Sequence, residues 1–349
     1  MNQDTLSAKF FNSISKPQEP SKGSVAKKLL ADFNHAEPIP LLTEVPTRNL
    51  LDSSPRALTA PLDAVISDNV IASTEFPDTS VLFKKSARDL CKSEPIDDTS
   101  SAPVNGIGKL FLTTPSGGKA HGSAWIINDE WICTCAHNLI NRSGWSSNIF
   151  FVPGFNQYAG DSADLDASVY QVKLAVVQPR YTEPSLPDVR YRTAFDIAFC
   201  QVHKRFDTNL TRIPILTLSD YEVFDSNNFY SIGYPGDTGF DNGQYPWKCS
   251  GRFIYQERLD ANTTHCPVKA TQLGPGVSGC PWITEQNGQH FAVGLSSGGS
   301  TSDYFLPETV NPNRIRIMSS KSPYFNQEVF DQLQTSTVRR TFPIQTNIA

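Results

Sequence analysis

The stretch Gly274-Pro275-Gly276-Val277-Ser278-Gly279-Cys280-Pro281 decides how this chain is read. It sets a serine among glycines and closes on a proline. Gly276 can adopt a backbone conformation closed to residues that carry a Cβ, which lets its N–H point into a site beside the serine. Gly279 permits close approach behind the hydroxyl. A glycine-rich hairpin would use the same residues, so the motif gains its meaning from two others upstream. Trp131-Ile132-Cys133-Thr134-Cys135-Ala136-His137 delivers a histidine at the end of an apolar run, and Asp196-Ile197-Ala198-Phe199 opens another. A hydroxyl becomes a nucleophile when a base takes its proton, and the base is oriented by a buried carboxylate. His137, Asp196 and Ser278 supply base, acid and nucleophile in that order. Asp188, beside Pro187 in a polar loop, is the competing acid. Asp196 is preferred because an acid at the mouth of an apolar strand can be buried and still reach the histidine. Cys280 lies two positions beyond the serine, out of reach of the Gly276 and Ser278 N–H groups that would stabilise an oxyanion.

Outward from these motifs, the chain from Asn105 onward breaks into short apolar segments separated by Gly, Pro and Asn. Lys109–Leu112, Gly122–Ile127, Trp131–Thr134, Tyr170–Val176, Ile197–Val202, Asn228–Ile232, Arg252–Tyr255, Cys280–Thr284 and Phe291–Leu295 each read as strands. Many short strands with such turns predict an all-β barrel or sandwich. Ser322-Pro323 leads into Tyr324–Leu333, whose apolar spacing predicts one terminal helix. Residues 1–104 differ: Pro17, Pro20, Pro38, Pro40, Pro46, Pro55, Pro61, Pro77 and Pro95 interrupt every candidate element. A short helix over Ser24–Phe33 and a short strand over Val65–Ala72 are all it offers. This segment reads as a poorly ordered leader, or as a pro-segment or targeting arm that wraps or blocks the downstream domain. The expected division is 1–104 leader, 105–335 a single domain carrying the three motifs and 336–349 tail.

Composition excludes some functions. Charged residues make up 19% of the chain and the net charge is −5, which gives no electrostatic case for nucleic acid or an anionic membrane surface. No stretch reaches the roughly 18 apolar residues that span a bilayer. The sequence Met1-Asn2-Gln3-Asp4-Thr5 lacks the basic-then-apolar pattern of a secretory signal. The expectation is a cytoplasmic protein, with non-classical export as the other route. Seven cysteines cannot all pair within one chain. Cys249 and Cys266 would face each other across a hairpin and join only under oxidising conditions. Cys133, Cys135 and His137 alternate and, with His265-Cys266, also read as a zinc set. The triad consumes His137, and buried cysteine behaves as a small apolar residue, so no metal and no cofactor are expected.

At these residues the chain resembles the chymotrypsin-like serine peptidases, specifically the branch that contains the bacterial glutamyl endopeptidases. Gly233-Tyr234-Pro235-Gly236-Asp237 is similar to that branch's turn, Trp247-Lys248-Cys249-Ser250-Gly251-Arg252 to the strand after it, and Ile149-Phe150-Phe151-Val152-Pro153-Gly154 to its segment after the histidine. The resemblance covers about residues 105 to 335. It implies two six-stranded antiparallel β-barrels with a triad in the cleft between them, and peptide-bond hydrolysis through an acyl-enzyme.

Departures refine the expectation. Val277 precedes the nucleophile where the trypsin branch has an aspartate that pairs with a freed N-terminus, so activation of that kind is not expected. Leu273 and Ser296 stand where the glutamyl branch reads an acidic side chain with threonine and histidine. Gln272, six positions before Ser278, stands where trypsin-like enzymes carry an acid. The pocket is expected to take a neutral, partly apolar side chain, and Ser297 and Gly298 to pair with the substrate backbone as an added strand. The implied function is a serine endopeptidase acting on protein or peptide substrates, kept latent by residues 1–104 or by a regulatory partner. The alternative is a protease-like fold retained as a binding or regulatory module.

Overall fold

The computed structural model describes residues 33, 36–39, 91–157, 168–183, 189–216, 229–251, 253–258, 265–300, 318–323, 325 and 337–344. Its strands, in chain order, are β1 (Glu37–Pro38), β2 (Cys91–Pro95), β3 (Ile107–Thr113), β4 (Lys119–Ile126), β5 (Trp131–Thr134), β6 (Ile140–Asn141), β7 (Gly144–Trp145), β8 (Ser147–Pro153), β9 (Tyr170–Val177) and β10 (Ala198–Val202). The second half carries β11 (Phe229–Gly233), β12 (Trp247–Gly251), β13 (Phe253–Arg258), β14 (His265–Thr271), β15 (Pro281–Gln286), β16 (Gln289–Leu295), β17 (Gly298–Ser300), β18 (Met318–Lys321) and β19 (Val338–Thr341). Among the described residues, short α-helices interrupt them: α1 (Ala136–Leu139), α2 (Pro179–Thr182) and α3 (Val189–Ala194).

The first half closes on itself. β4, β3, β8, β9, β10 and β5 pair in succession, and β5 pairs back to β4, making a closed antiparallel barrel of six strands. The second half is built from two antiparallel sheets, β16-β15-β11-β12-β2 and β13-β14-β18-β17. The chain is thus all-β, a closed six-stranded barrel followed by further antiparallel sheets, an arrangement consistent with the chymotrypsin-like double barrel.

Alternation explains why the barrel strands read as unbroken apolar runs. Along β10, Ala198, Cys200 and Val202 point into the barrel, while Phe199 packs with Trp131 and Cys133 of β5 on its outer face. That outer face meets Ile232, Ile283, Ala292 and Leu295 of the second half, so one apolar core lies between the two halves. Strands buried on both faces carry no polar register. Burial of this kind contributes on the order of 25 cal/mol per Å² of apolar surface removed from water.

Several pairings are not apparent from the sequence. β2 adds as an edge strand to β12, with Cys249 opposite Ser93 and Gly251 opposite Cys91. β1 pairs with β4 in parallel. β19, in the segment expected to be a tail, pairs with β9. The expected helix over Tyr324–Leu333, the expected helix over Ser24–Phe33 and the expected strand over Val65–Ala72 lie outside the described residues, apart from the buried Phe33 and Phe325.

Candidate active site

β5 ends at Thr134, and α1 turns the chain so that His137 leaves the barrel edge with its side chain only 5% exposed. Asp196 sits between α3 and β10, fully buried. β10 and β5 are hydrogen-bonded neighbours, with Ala198 opposite Thr134, so the barrel itself brings the acid to the histidine. The His137 main-chain N–H donates to Asp196 Oδ1 at 2.8 Å, and His137 Nδ1 donates to Asp196 Oδ2 at 2.6 Å. A carboxylate can only accept, which places the proton on Nδ1 and the lone pair on Nε2. Ser297 Oγ donates to the same Oδ2. Three donors on two oxygens fix the carboxylate in place.

The serine arrives from the second half, in the turn before β15. Gly276 has φ +91° and Gly279 φ +88°, left-handed values that a Cβ would strain. A Cβ on Gly279 would collide with both Ser123 O and Thr134 Oγ1, so the turn lies directly on β4 and the end of β5. Ser123 N–H donates to Ser278 O at 2.8 Å, and Asn138 Nδ2 donates to the same carbonyl at 2.9 Å and to Thr134 Oγ1 at 2.8 Å. The residue after the histidine therefore holds the peptide of the serine. Ser123 Oγ donates to Gly276 O at 3.0 Å, fixing the peptide on the other side of Val277. Ser278 Oγ and His137 Nε2 are both enclosed and have no hydrogen-bond partner among the described residues.

The Gly233–Asp237 turn backs this arrangement. Tyr234 is fully buried, its N–H reaches Ser123 Oγ at 3.1 Å, and Gly236 N–H donates to Pro275 O at 2.6 Å.

The other expected site residues surround this centre. Gln272 Oε1 accepts from both the N–H and the hydroxyl of Ser93 on β2, each at 2.7 Å. Leu273 is fully buried. Ser296 Oγ accepts from the indole of Trp282 at 3.0 Å and from the Cys280 thiol at 3.2 Å. Gly298 lies on β17, opposite Lys321 of β18. Ser297, expected to pair with substrate through its backbone, directs its side-chain hydroxyl to Asp196. Asp188 lies outside the described residues. Sequence reasoning missed Ser123 and Asn138. Asn138, directly after the histidine, carried the one usable signal, an amide where the strand's apolar run stops.

Cys135, His137 and Asp196 present atoms within 4.8 Å of one another, the geometry of a metal cluster. The Cys135 thiol donates to Ser296 O at 3.1 Å, and burial beside Asp196 pushes its pKa well up. The Cys135 thiol is thus engaged by Ser296 O and His137 Nδ1 by Asp196 Oδ2, contacts that suit proton transfer. Cys249 is a free, buried thiol. Its neighbours are Cys91, whose thiol hydrogen-bonds to it, and Lys269. It is therefore not joined to Cys266.

No family model matches the chain, and no curated protein matches it. Solved structures similar to it include a thermostable serine protease, AL20, from an extremophilic microorganism, with 21% identity over 67% of this chain and 97% of that one and a TM-score of 0.47. Protease Anisep from Arthrobacter nicotinovorans shows 17% identity over 70% of this chain and 100% of that one, with a TM-score of 0.48. A Glu endopeptidase in complex with MPD shows 18% identity over 69% of this chain and 94% of that one, with a TM-score of 0.49.

Proposed function

We propose that this chain is a serine endopeptidase that hydrolyses peptide bonds through an acyl-enzyme and is held latent by its N-terminal segment. The observation that carries the reading is the His137–Asp196 pair, fixed by two hydrogen bonds with Nε2 left unpartnered, while the next residue, Asn138, holds the carbonyl of Ser278. Ser278 Oγ attacks the scissile carbonyl as His137 Nε2 takes its proton. The N–H groups of Gly276 and Ser278 stabilise the oxyanion, and the imidazolium then protonates the leaving amine. Water attacks the acyl-enzyme by the same route. Asp196 holds the tautomer and offsets the imidazolium charge, and Ser297 holds Asp196. Gln272, Leu273 and Ser296 favour a neutral residue before the scissile bond. The Gly233–Asp237 turn is the feature that favours the glutamyl endopeptidase branch, although its two acid-reading positions are Leu273 and Ser296 here.

A fluorophosphonate probe tests the assignment. Labelling that maps to Ser278 and disappears in Ser278→Ala supports it. Failure to label any Ser278-containing form, variants with a displaced N-terminal segment included, removes it and favours a protease-like binding module.

A further inference from the structure

The N–H group that would stabilise the oxyanion is already taken. Gly276 N–H donates to the carbonyl of Ile39 at 2.9 Å, and Ile39 N–H donates to His121 O on β4 at 2.8 Å. Just before Ile39, β1 runs parallel to β4, with Glu37 opposite Ala120 and Pro38 opposite His121. His121 Nδ1 donates to Ala36 O at 3.0 Å, so one residue of β4 grips the segment at both ends. Pro38 lies so close over the cleft turn that a Cβ on Gly236 would collide with its ring. The Ile39 side chain is buried in the core of the first barrel, together with Leu110 and Leu139. Further back, Phe33 is buried against Phe111 and Phe150, with the Lys119 ammonium over its ring at 4.6 Å.

We infer that Ala36–Ile39 is an intramolecular strap that inhibits the site by placing the Ile39 carbonyl on the oxyanion donor, with Phe33 as its anchor. The inference rests on the peptidase reading and specifies its regulation. An amide N–H makes one good hydrogen bond, so a substrate carbonyl gains the Gly276 donor only after Ile39 leaves. Ser278 is fully buried in this arrangement, as is the unpartnered Nε2 of His137. The sequence suits the task. Pro38 and Pro40 flank Ile39. Proline restricts its own φ and holds the residue before it extended, so docking orders little additional chain. Neither proline has an N–H, which leaves Ile39 as the one residue of Pro38-Ile39-Pro40 able both to donate and to accept. The Ile39–Pro40 bond is a tertiary amide, unlike the secondary amides of most substrates.

The test uses the full-length chain. Ile39→Asp puts a carboxylate into the apolar barrel core and expels the strap. Phe33→Ser removes the anchor without touching the cleft, and thermal melts verify that both variants fold. The rate of fluorophosphonate labelling at Ser278 is measured for wild type and both variants, each with its Ser278→Ala control. Release of a strap held by a few hydrogen bonds and two buried apolar side chains predicts a rise of roughly 10²-fold. A synthetic peptide of residues 31–44 added to the Phe33→Ser variant is expected to slow labelling again, and the same peptide with Ile39→Asp is not. Equal labelling of wild type and both variants overturns the strap and leaves the peptidase reading intact. No labelling of any form overturns the peptidase reading and the inhibition with it. Faster labelling that the wild-type peptide does not reverse overturns the strap as the inhibitory element.

Discussion

Asp196→Asn is the substitution whose consequence the structure fixes most tightly. The carboxylate accepts from His137 N–H on Oδ1 and from His137 Nδ1 and Ser297 Oγ on Oδ2. An amide keeps one oxygen and replaces the other with a donor. The main-chain N–H cannot change its role, whereas the Ser297 hydroxyl can rotate and the imidazole can change tautomer. The amide oxygen therefore settles at the Oδ1 position and the NH₂ faces the ring. Nδ1 then becomes the acceptor, the proton moves to Nε2, and the nitrogen proposed as the base for Ser278 can no longer take a proton. Returning to the reactive tautomer sets two buried donors against each other, which costs about 1–3 kcal/mol. Losing the anion beside the forming imidazolium costs about 4 kcal/mol more, for charges about 4 Å apart at an effective dielectric of about 20. Together these predict a loss of roughly 10⁴- to 10⁵-fold in reactivity. The assay is the second-order rate of fluorophosphonate labelling of Asp196→Asn in the fastest-labelling background, with circular dichroism to verify the fold. A loss of less than tenfold in a folded variant would refute the tautomer argument and the role given to Asp196.

Other expectations rest on single contacts. Gly276→Ala forces a Cβ into a residue at φ +91°, 2.5 Å from Tyr234 O, and labelling should fall by roughly 10²-fold or more as the donor is displaced; near-normal labelling would count against Gly276 as that donor. Asn138→Ala removes the bonds to Ser278 O and Thr134 Oγ1 and should cost about 1–3 kcal/mol in urea unfolding. A stability unchanged within error would show that Ser123 N–H alone suffices to hold the serine's carbonyl. Burial, with Lys109 alongside, drives His121 from 6.5 down to about 3. Between those values the unfolded chain binds a proton that the folded chain does not, so this group's stability is complete above about pH 6.5 and is lost as pH falls toward 3. His121→Phe should therefore show a shallower loss of urea midpoint over that interval, and parallel profiles for the two proteins would exclude His121 as a source of the acid sensitivity.

Local chemistry encodes part of this fold, and packing decides the rest. Trp131–Cys133 is legible residue for residue, because a strand buried on both faces is apolar along its run. The glycines around Ser278 are legible because left-handed φ leaves few other choices of residue. His137 and Asp196 are legible through their position at strand ends, and hydrogen-bonded pairing of β5 with β10 explains why those ends converge. By contrast, β12 reads as a strand only through the family resemblance and β14 holds a proline, and their places are set by the neighbours that complete their ladders. β19 reads as a charged tail, yet its backbone pairs with β9 while its arginines stay in water.

The sequence by itself determined the all-β class and the three chemical groups of the candidate site, since these depend on side-chain type and on short-range backbone limits. Only the tertiary structure decided that Ser297 serves Asp196, that Asn138 and Ser123 hold the serine's peptide, and that Ile39 caps Gly276. Each of those contacts joins segments far apart in the chain through a main-chain or small polar group. Such groups occur throughout the chain, so their partners are chosen by the way the two halves pack and not by any pattern nearby.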